Sequence, residues 1–376
     1  MRMKLKNLLI LIALASSLLS AATARAAGEG ASAARPSVIE QTVAVEPNVI
    51  VSLCIASGSI NVKGWDRNEV TARSGDAEKI ELRRASANAT GPASRIEVMV
   101  SDPADGPRGP EFGSCNAFSD VELSVPRGAI VQLQTRDGDI TVSDVAEARV
   151  EAQSGDIVLQ HISRLVEARA LSGDITLKDS SGRVQLGSVS GSVEATNISS
   201  ISPGDDFEAG TVSGDVILKG VAQSQVHAKS VSGSLNMTGA LARGGRYDFK
   251  TMSGDVTLNM PADSSFKVNA KVSRGGDIVS DFPITPADDP ARPAAVGAPR
   301  PPTTPSPATP VAPASDETDD DDDDGRPSPA PRPAPHPRPA PDPHSQGLER
   351  LNGIFGGGDA TLNLASFSGT VYLRRR

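Results

Sequence analysis

Between residues 126 and 282 apolar and polar side chains alternate at every second position. Val166, Ala168 and Ala170 enclose Glu167 and Arg169; beyond Leu171-Ser172-Gly173, Ile175 and Leu177 enclose Thr176 and Lys178. A period of two turns one set of side chains inward and the other outward on an extended strand. The three-and-four spacing of an amphipathic helix is missing. The same unit returns as Phe207/Ala209/Thr211 with Val216/Leu218, and as Tyr247/Phe249/Thr251 with Val256/Leu258. Each unit therefore predicts two short strands joined by a bend at Ser-Gly.

The bends recur at Gly138, Gly155, Gly173, Gly191, Gly214, Gly233 and Gly254, at intervals of 17, 18, 18, 23, 19 and 21 residues. Less regular copies stand at Gly58, Gly276 and Gly369. Self-similarity at about 20 residues marks stacked supersecondary units. The predicted fold is all-β: a parallel β-solenoid, or β-helix-like stack, of two-strand coils. A β-sandwich of hairpins is the rival. It favours Asx-Gly turns, which Asp137-Gly138 fits and most other copies do not.

Gly155, Gly173, Gly191, Gly214, Gly233 and Gly254 are the structural turn positions, because glycine accepts corners closed to other residues. The residue before Ser-Gly forms an apolar column, Leu171, Val189, Val212, Val231, Met252, Val272 and Phe367, expected to stack coil on coil. The residue after glycine forms a second column: Asp139, Asp156, Asp174, Ser192, Asp215, Ser234 and Asp255. Capping of the turn's own amides accounts for it better than a calcium ladder does, since the nine-residue glycine-aspartate repeat of calcium β-rolls is absent.

The chain ends differ from this pattern. Residues 1–26 have a basic start (Arg2, Lys4, Lys6), an apolar run and Ala24-Arg25-Ala26, the layout of a secretory signal peptide. Residues 27–37 read as a flexible leader and 38–125 as a less regular N-terminal β cap on the repeats of 126–282. Residues 283–346 read as a disordered Pro/Asp-rich insertion: 19 of the 29 prolines lie at 286–346, with an acidic run ending at Asp324. Residues 347–376 return as a closing β coil, whose terminal Arg374-Arg375-Arg376 is expected to blunt the end of the stack.

Composition narrows the function. Loss of Arg2, Lys4, Lys6 and Arg25 with the leader takes the net charge from -9 to -13. An acidic exported chain is a poor partner for nucleic acid. Only 3% of residues are aromatic, leaving few stacking platforms. No membrane-spanning segment is expected after signal cleavage. Cys54 and Cys115 are a disulfide candidate in an oxidising compartment, with two buried free thiols as the alternative. His161, His227, His336 and His344 have no metal-ligand spacing, and no nucleophile elbow, phosphate loop or dinucleotide fingerprint occurs. No catalytic residue, metal ligand or cofactor is expected. Trp65 reads as a plug of the core or cap.

The stretches ASGSINVKGWDRNEV (56–70), VELSVPRGAIVQLQTRDGDITVSDV (121–145) and FGGGDATLNLASFSGTVYL (355–373), with the serial SGDI/SGDV units between them, resemble a bacterial adhesin-like family. Its members are secreted or envelope-associated repeat proteins of unknown function, related to the head domain of GIN-containing proteins. The resemblance covers most of residues 40–282 and 347–376. It implies a β-solenoid exposed at the cell envelope and brings no catalytic residues. The expected role is an exported, non-enzymatic adhesin-like protein binding glycans, matrix or an envelope protein through a polar repetitive surface. The alternatives are a periplasmic scaffold or envelope-stress interaction protein and, more remotely, a polysaccharide-active β-helix enzyme.

Overall fold

The computed structural model describes residues 39–75, 79–85, 91–101, 115–286 and 350–376. The signal, the leader and nearly all of the Pro/Asp segment lie outside these residues. Among the described residues there are strands and no helix.

The fold is a β-solenoid. Each coil gives one long strand to one sheet and one shorter strand to a second sheet. Leu165–Ser172 turns at Gly173 into Ile175–Ser181, and the next coil repeats this with Arg183–Ser190 and Val193–Ser199. Pairing is parallel and in register: Val166 opposes Val184, and Ile175 opposes Val193. The core follows from the two-residue period. Val166, Ala168, Ile175 and Leu177 are buried, as are their counterparts Phe207, Ala209, Val216 and Leu218. Backbone hydrogen bonds run between coils, about 4.8 Å apart.

Two corners hold each coil. At the Ser-Gly corner Gly173 has φ +143°, and a Cβ there would lie 2.7 Å from the carbonyl carbon of Gly155. Glycine is required twice over, by the dihedral and by the close approach of the coil below. Its N–H donates to Ser190 O at 3.0 Å. Beside it runs a ladder of inward hydroxyls. Thr211 Oγ1 donates to Gly191 O at 2.8 Å, and Ser188, Ser230, Thr251 and Ser366 do the same to the glycine carbonyl of their lower neighbour at 3.1–3.2 Å. The second corner needs the left-handed conformation at Asp144, His161, Asp179, Asn197 and Gly220, with φ between 47° and 65°. Asn, Asp, His and Gly tolerate that region best.

The ends are built by different means. At the start, the coil formed by Val51–Ile55 and Ile60–Trp65 stacks directly on coil 130–143. Antiparallel strands cover it: Glu69–Ser74 pairs with residues 39–44, and Lys79–Arg84 pairs with Ala93–Ser101. A disulfide joins Cys54 to Cys115, pinning the crossing segment whose Ala117 O accepts from Ala56 N. Trp65 is half-buried at the cap, with Nε1 donating to Glu69 O at 2.9 Å and Arg67 over its ring.

At the other end the spatial order departs from chain order. The last coil, Ala360–Ser368 and Val371–Arg375, lies between coil 246–260 and coil 266–280. Gly369 stacks on Gly254, and Gly276 stacks on Gly369. The expectation that the closing coil ends the stack is therefore corrected. Val371–Leu373 pair with Ile278–Ser280, while Arg374 and Arg375 stay exposed and meet Asp281, whose Oδ2 accepts from Arg375 N at 3.2 Å. Residues 283–286, expected to be disordered, include the strand Thr285–Pro286, which pairs with Ile354 and Gly353. Nothing in the local alternation of Ala360–Ser368 distinguishes one position in the stack from another.

Candidate functional site

The outward face of the long-strand sheet carries the features most suited to binding. In-register stacking converts each sequence position into a column running along the rod. The column next to the Ser-Gly corner contains Leu171, Val189, Val212, Val231, Met252 and Phe367. The sequence predicts this apolar column as coil-on-coil packing, and the neighbours do stack, but on the outside. All six are between 42% and 56% exposed. Strand alternation turns the residue before Ser-Gly outward, since its predecessor is buried, so the column forms a ridge. Val272 leaves it: the SRGGD turn adds a residue, and Val272 is buried.

Beside the ridge a second outward column reads Glu151, Arg169, Gly187, Gly210, Lys229, Lys250 and Ala365. A third reads Arg149, Glu167, Gln185, Glu208, His227, Asp248 and Asn363. Opposite charges meet within a coil and across coils. Arg169 reaches Glu167 at 2.8 Å and Glu151 at 3.6 Å, and Lys229 reaches Glu208 at 3.2 Å. Such exposed pairs add little stability, about 0–1 kcal/mol each. They fix the charge pattern of the face. Three shallow grooves of about 350–430 Å³ open on it, one over Gly187 and Gly210, one beside the disulfide and one toward the N-terminal end.

His227, Asp248 and Asn363 form the tightest polar group. Asp248 accepts from Asn363 Nδ2 at 2.6 Å and Arg246 Nε at 3.0 Å, and lies 3.3 Å from His227 Nδ1. Burial alone pushes the Asp248 carboxyl upward. The hydrogen bonds from Asn363 and Arg246 and the positive charges of Arg246 and His227 outweigh it and hold the pKa below the ordinary value. The group binds the last coil to its lower neighbour.

The aspartate column behaves differently from the expectation that it caps its own turns. Asp156 Oδ1 accepts from Asp174 N at 2.9 Å, Asp174 Oδ1 from Ser192 N at 2.7 Å, and Asp215 Oδ1 from Ser234 N at 2.7 Å. Each carboxylate caps the coil above. Parallel stacking leaves that amide facing the rim, where the lower aspartate reaches it. Among the described residues no group of three or more His, Cys, Asp or Glu could hold a metal ion. His161 is exposed at the second corner, and His336 and His344 lie outside the described residues.

Reading the chain alone missed the outward placement of the ridge and the left-handed second corner. The signal for the corner was present: Asp144, His161, Asp179 and Asn197 each stand four residues after the first residue of the second strand, a position where residues tolerant of positive φ gather.

No curated protein matches the chain. Solved structures similar to it include a "putative adhesin" from Parabacteroides distasonis ATCC 8503, 10% identical, covering 60% of this chain and 90% of that one with a TM-score of 0.39. A second, from Parabacteroides merdae ATCC 43184, is 10% identical over 60% of this chain and 89% of that one, with a TM-score of 0.30. A "putative cell adhesion protein" from Clostridium sporogenes ATCC 15579 is 9% identical, covering 90% of this chain and all of that one, with a TM-score of 0.20. The family model described as Toastrack DUF4097 matches residues 55–288. The chain belongs to the Toastrack DUF4097 family.

Proposed function

We propose that the protein is an exported, non-enzymatic, adhesin-like rod that binds a protein or glycan surface at the cell envelope through its long-strand face. The observation that carries this reading is the ridge of Leu171, Val189, Val212, Val231, Met252 and Phe367, six aligned and exposed apolar side chains beside a charged face. Contiguous exposed apolar surface of this kind marks interaction sites on soluble proteins. Its repetition at the coil spacing suits many weak contacts made together, whose combined avidity exceeds that of any one of them. The face expected to be uniformly polar is thus amphipathic, and the ridge supplies the apolar contact area that polar columns lack.

The test compares the full chain with a V189D/V212D/V231D variant. Binding to immobilised envelope extracts and to a glycan panel is measured alongside thermal unfolding. Loss of binding with unchanged unfolding supports the reading; equal binding by both proteins refutes it. Protease treatment of intact cells separates surface display from a periplasmic scaffold: a chain fully protected from protease acts inside the envelope.

A further inference from the structure

The last coil fills a gap that the rest of the chain leaves open. Coils 246–260 and 266–280 are synthesised first, yet they do not pair with each other. Ala360–Ser368 lies between Arg246–Ser253 and Phe266–Val272, and Val371–Arg375 lies between Val256–Met260 and Ile278–Ser280. The corner ladder shows the same dependence, since Gly276 rests on Gly369 and Gly369 on Gly254. Without 360–375, strand edges face each other across a slot one coil wide. Unpaired edges of this kind are templates for another strand.

The segment that fills the slot is joined to the rest of the fold only through residues 287–349, a connection of 63 residues. Among the described residues, the interactions holding it are made by residues 350–376 with the body of the rod. Asn363 bonds Asp248 at 2.6 Å, Thr370 N bonds Asp255 at 2.7 Å, and Arg375 N bonds Asp281 at 3.2 Å. An identical segment from a second copy would make the same bonds in the same slot. We propose that residues 350–376 exchange between copies of this chain, so that the C-terminal coil of one rod completes the stack of another. This inference goes beyond the surface-binding reading, and names a second copy of the chain as a partner.

The balance between self-insertion and exchange is set by the tether, because the inserted contacts are the same in both. At the flexible-chain limit a tether of 63 residues spans about 45 Å root-mean-square, which sets an upper effective concentration of about 6 mM; a stiffer tether lowers it and favours exchange. Dilute protein keeps its own coil. Copies crowded to millimolar local concentration on a surface exchange, either reciprocally in pairs or onward from rod to rod. Exchange of an identical element is a low-cost route to assembly.

The experiment uses two full-length variants with one added cysteine each, K250C and A365C. Lys250 and Ala365 are directly opposed in the parallel register, on the outward face and away from the Asp248 group. The two proteins, one carrying a size tag, are mixed in denaturant with the native disulfide intact, refolded together and oxidised. At about 1 mM the proposal expects covalent heterodimer in about 15% of chains, falling roughly a hundredfold at about 10 μM. A control pair, K250C with K178C, places the two cysteines on different sheets and reports random collision. The double variant K250C/A365C, oxidised when dilute, locks its own coil and should give no heterodimer with A365C at either concentration. Heterodimer no more abundant than in the control pair, or unaffected by locking, overturns the proposal. The ridge is untouched in these variants, so the outcome is independent of the surface-binding test.

Discussion

Two glycines in neighbouring coils make opposite predictions on replacement by alanine. Gly173 sits at a Ser-Gly corner with φ +143°, and an added Cβ would lie 2.7 Å from the carbonyl carbon of Gly155. Gly187 lies mid-strand on the outward face with an ordinary φ, and an added Cβ there meets nothing within 4 Å. For Gly173→Ala, holding a side chain in a glycine-only conformation costs about 1–3 kcal/mol. Displacing the Gly173 backbone also weakens its intercoil N–H bond to Ser190 O, worth about 1 kcal/mol. The expected loss is about 2–4 kcal/mol, or a melting temperature lower by roughly 4–16 °C for a folded region of this size. Gly187→Ala should be neutral or stabilising by about 0.4–1 kcal/mol, because alanine restricts the unfolded chain without strain. Thermal and urea unfolding followed by circular dichroism distinguish the two. If Gly173→Ala melts within about 1 °C of the parent, or if Gly187→Ala is the more damaging change, the account of the corner ladder is wrong.

Further outcomes follow from other parts of the rod. Thr211→Val deletes the hydroxyl that donates to Gly191 O at 2.8 Å and leaves that part-buried carbonyl short of a partner, so urea titration should show a loss of about 1 kcal/mol. Reducing the Cys54–Cys115 bridge releases a constraint spanning 61 residues and should cost about 4 kcal/mol in the chain-entropy picture, read as a lower unfolding midpoint with reductant. Asp248 is held below its ordinary pKa, so its contribution is fully present above the unfolded-state value and is lost as pH falls through the depressed folded value. Asp248→Asn should therefore reduce the loss of stability between about pH 5 and pH 2; an unchanged pH slope in urea titrations would show that the carboxylate is not the group responsible.

The repeat, the strand period and the inward residues were legible in the chain because they are local. A two-residue alternation such as Val166/Ala168/Ala170 has one physical solution, a half-buried strand, and glycine at a fixed place in successive units marks where that strand must bend. The pair Cys54 and Cys115 could be named as candidates, but only the crossing of 115–120 over the first coil brings them together. The ridge was legible as a column and not as a surface. Alternation through Val166, Ala168 and Ala170 already puts Leu171 on the outward side; only the assembled stack shows that this side of the column stays exposed. The capping aspartates were misjudged because their partners are amides about 18 residues away in sequence and one coil away in space.

By itself the sequence determined what each coil is: two strands, an apolar interior, and glycine at the corner that another coil's carbonyl crowds. Alternation and dihedral preference act over a few residues, so they are written there. Only the tertiary structure decided which coil lies on which. The strands 246–253, 266–272 and 360–368 are interchangeable in pattern. Their order is set by which edges are free and how far the chain can reach, and a connection of 63 residues lets the last-made coil enter between two made earlier.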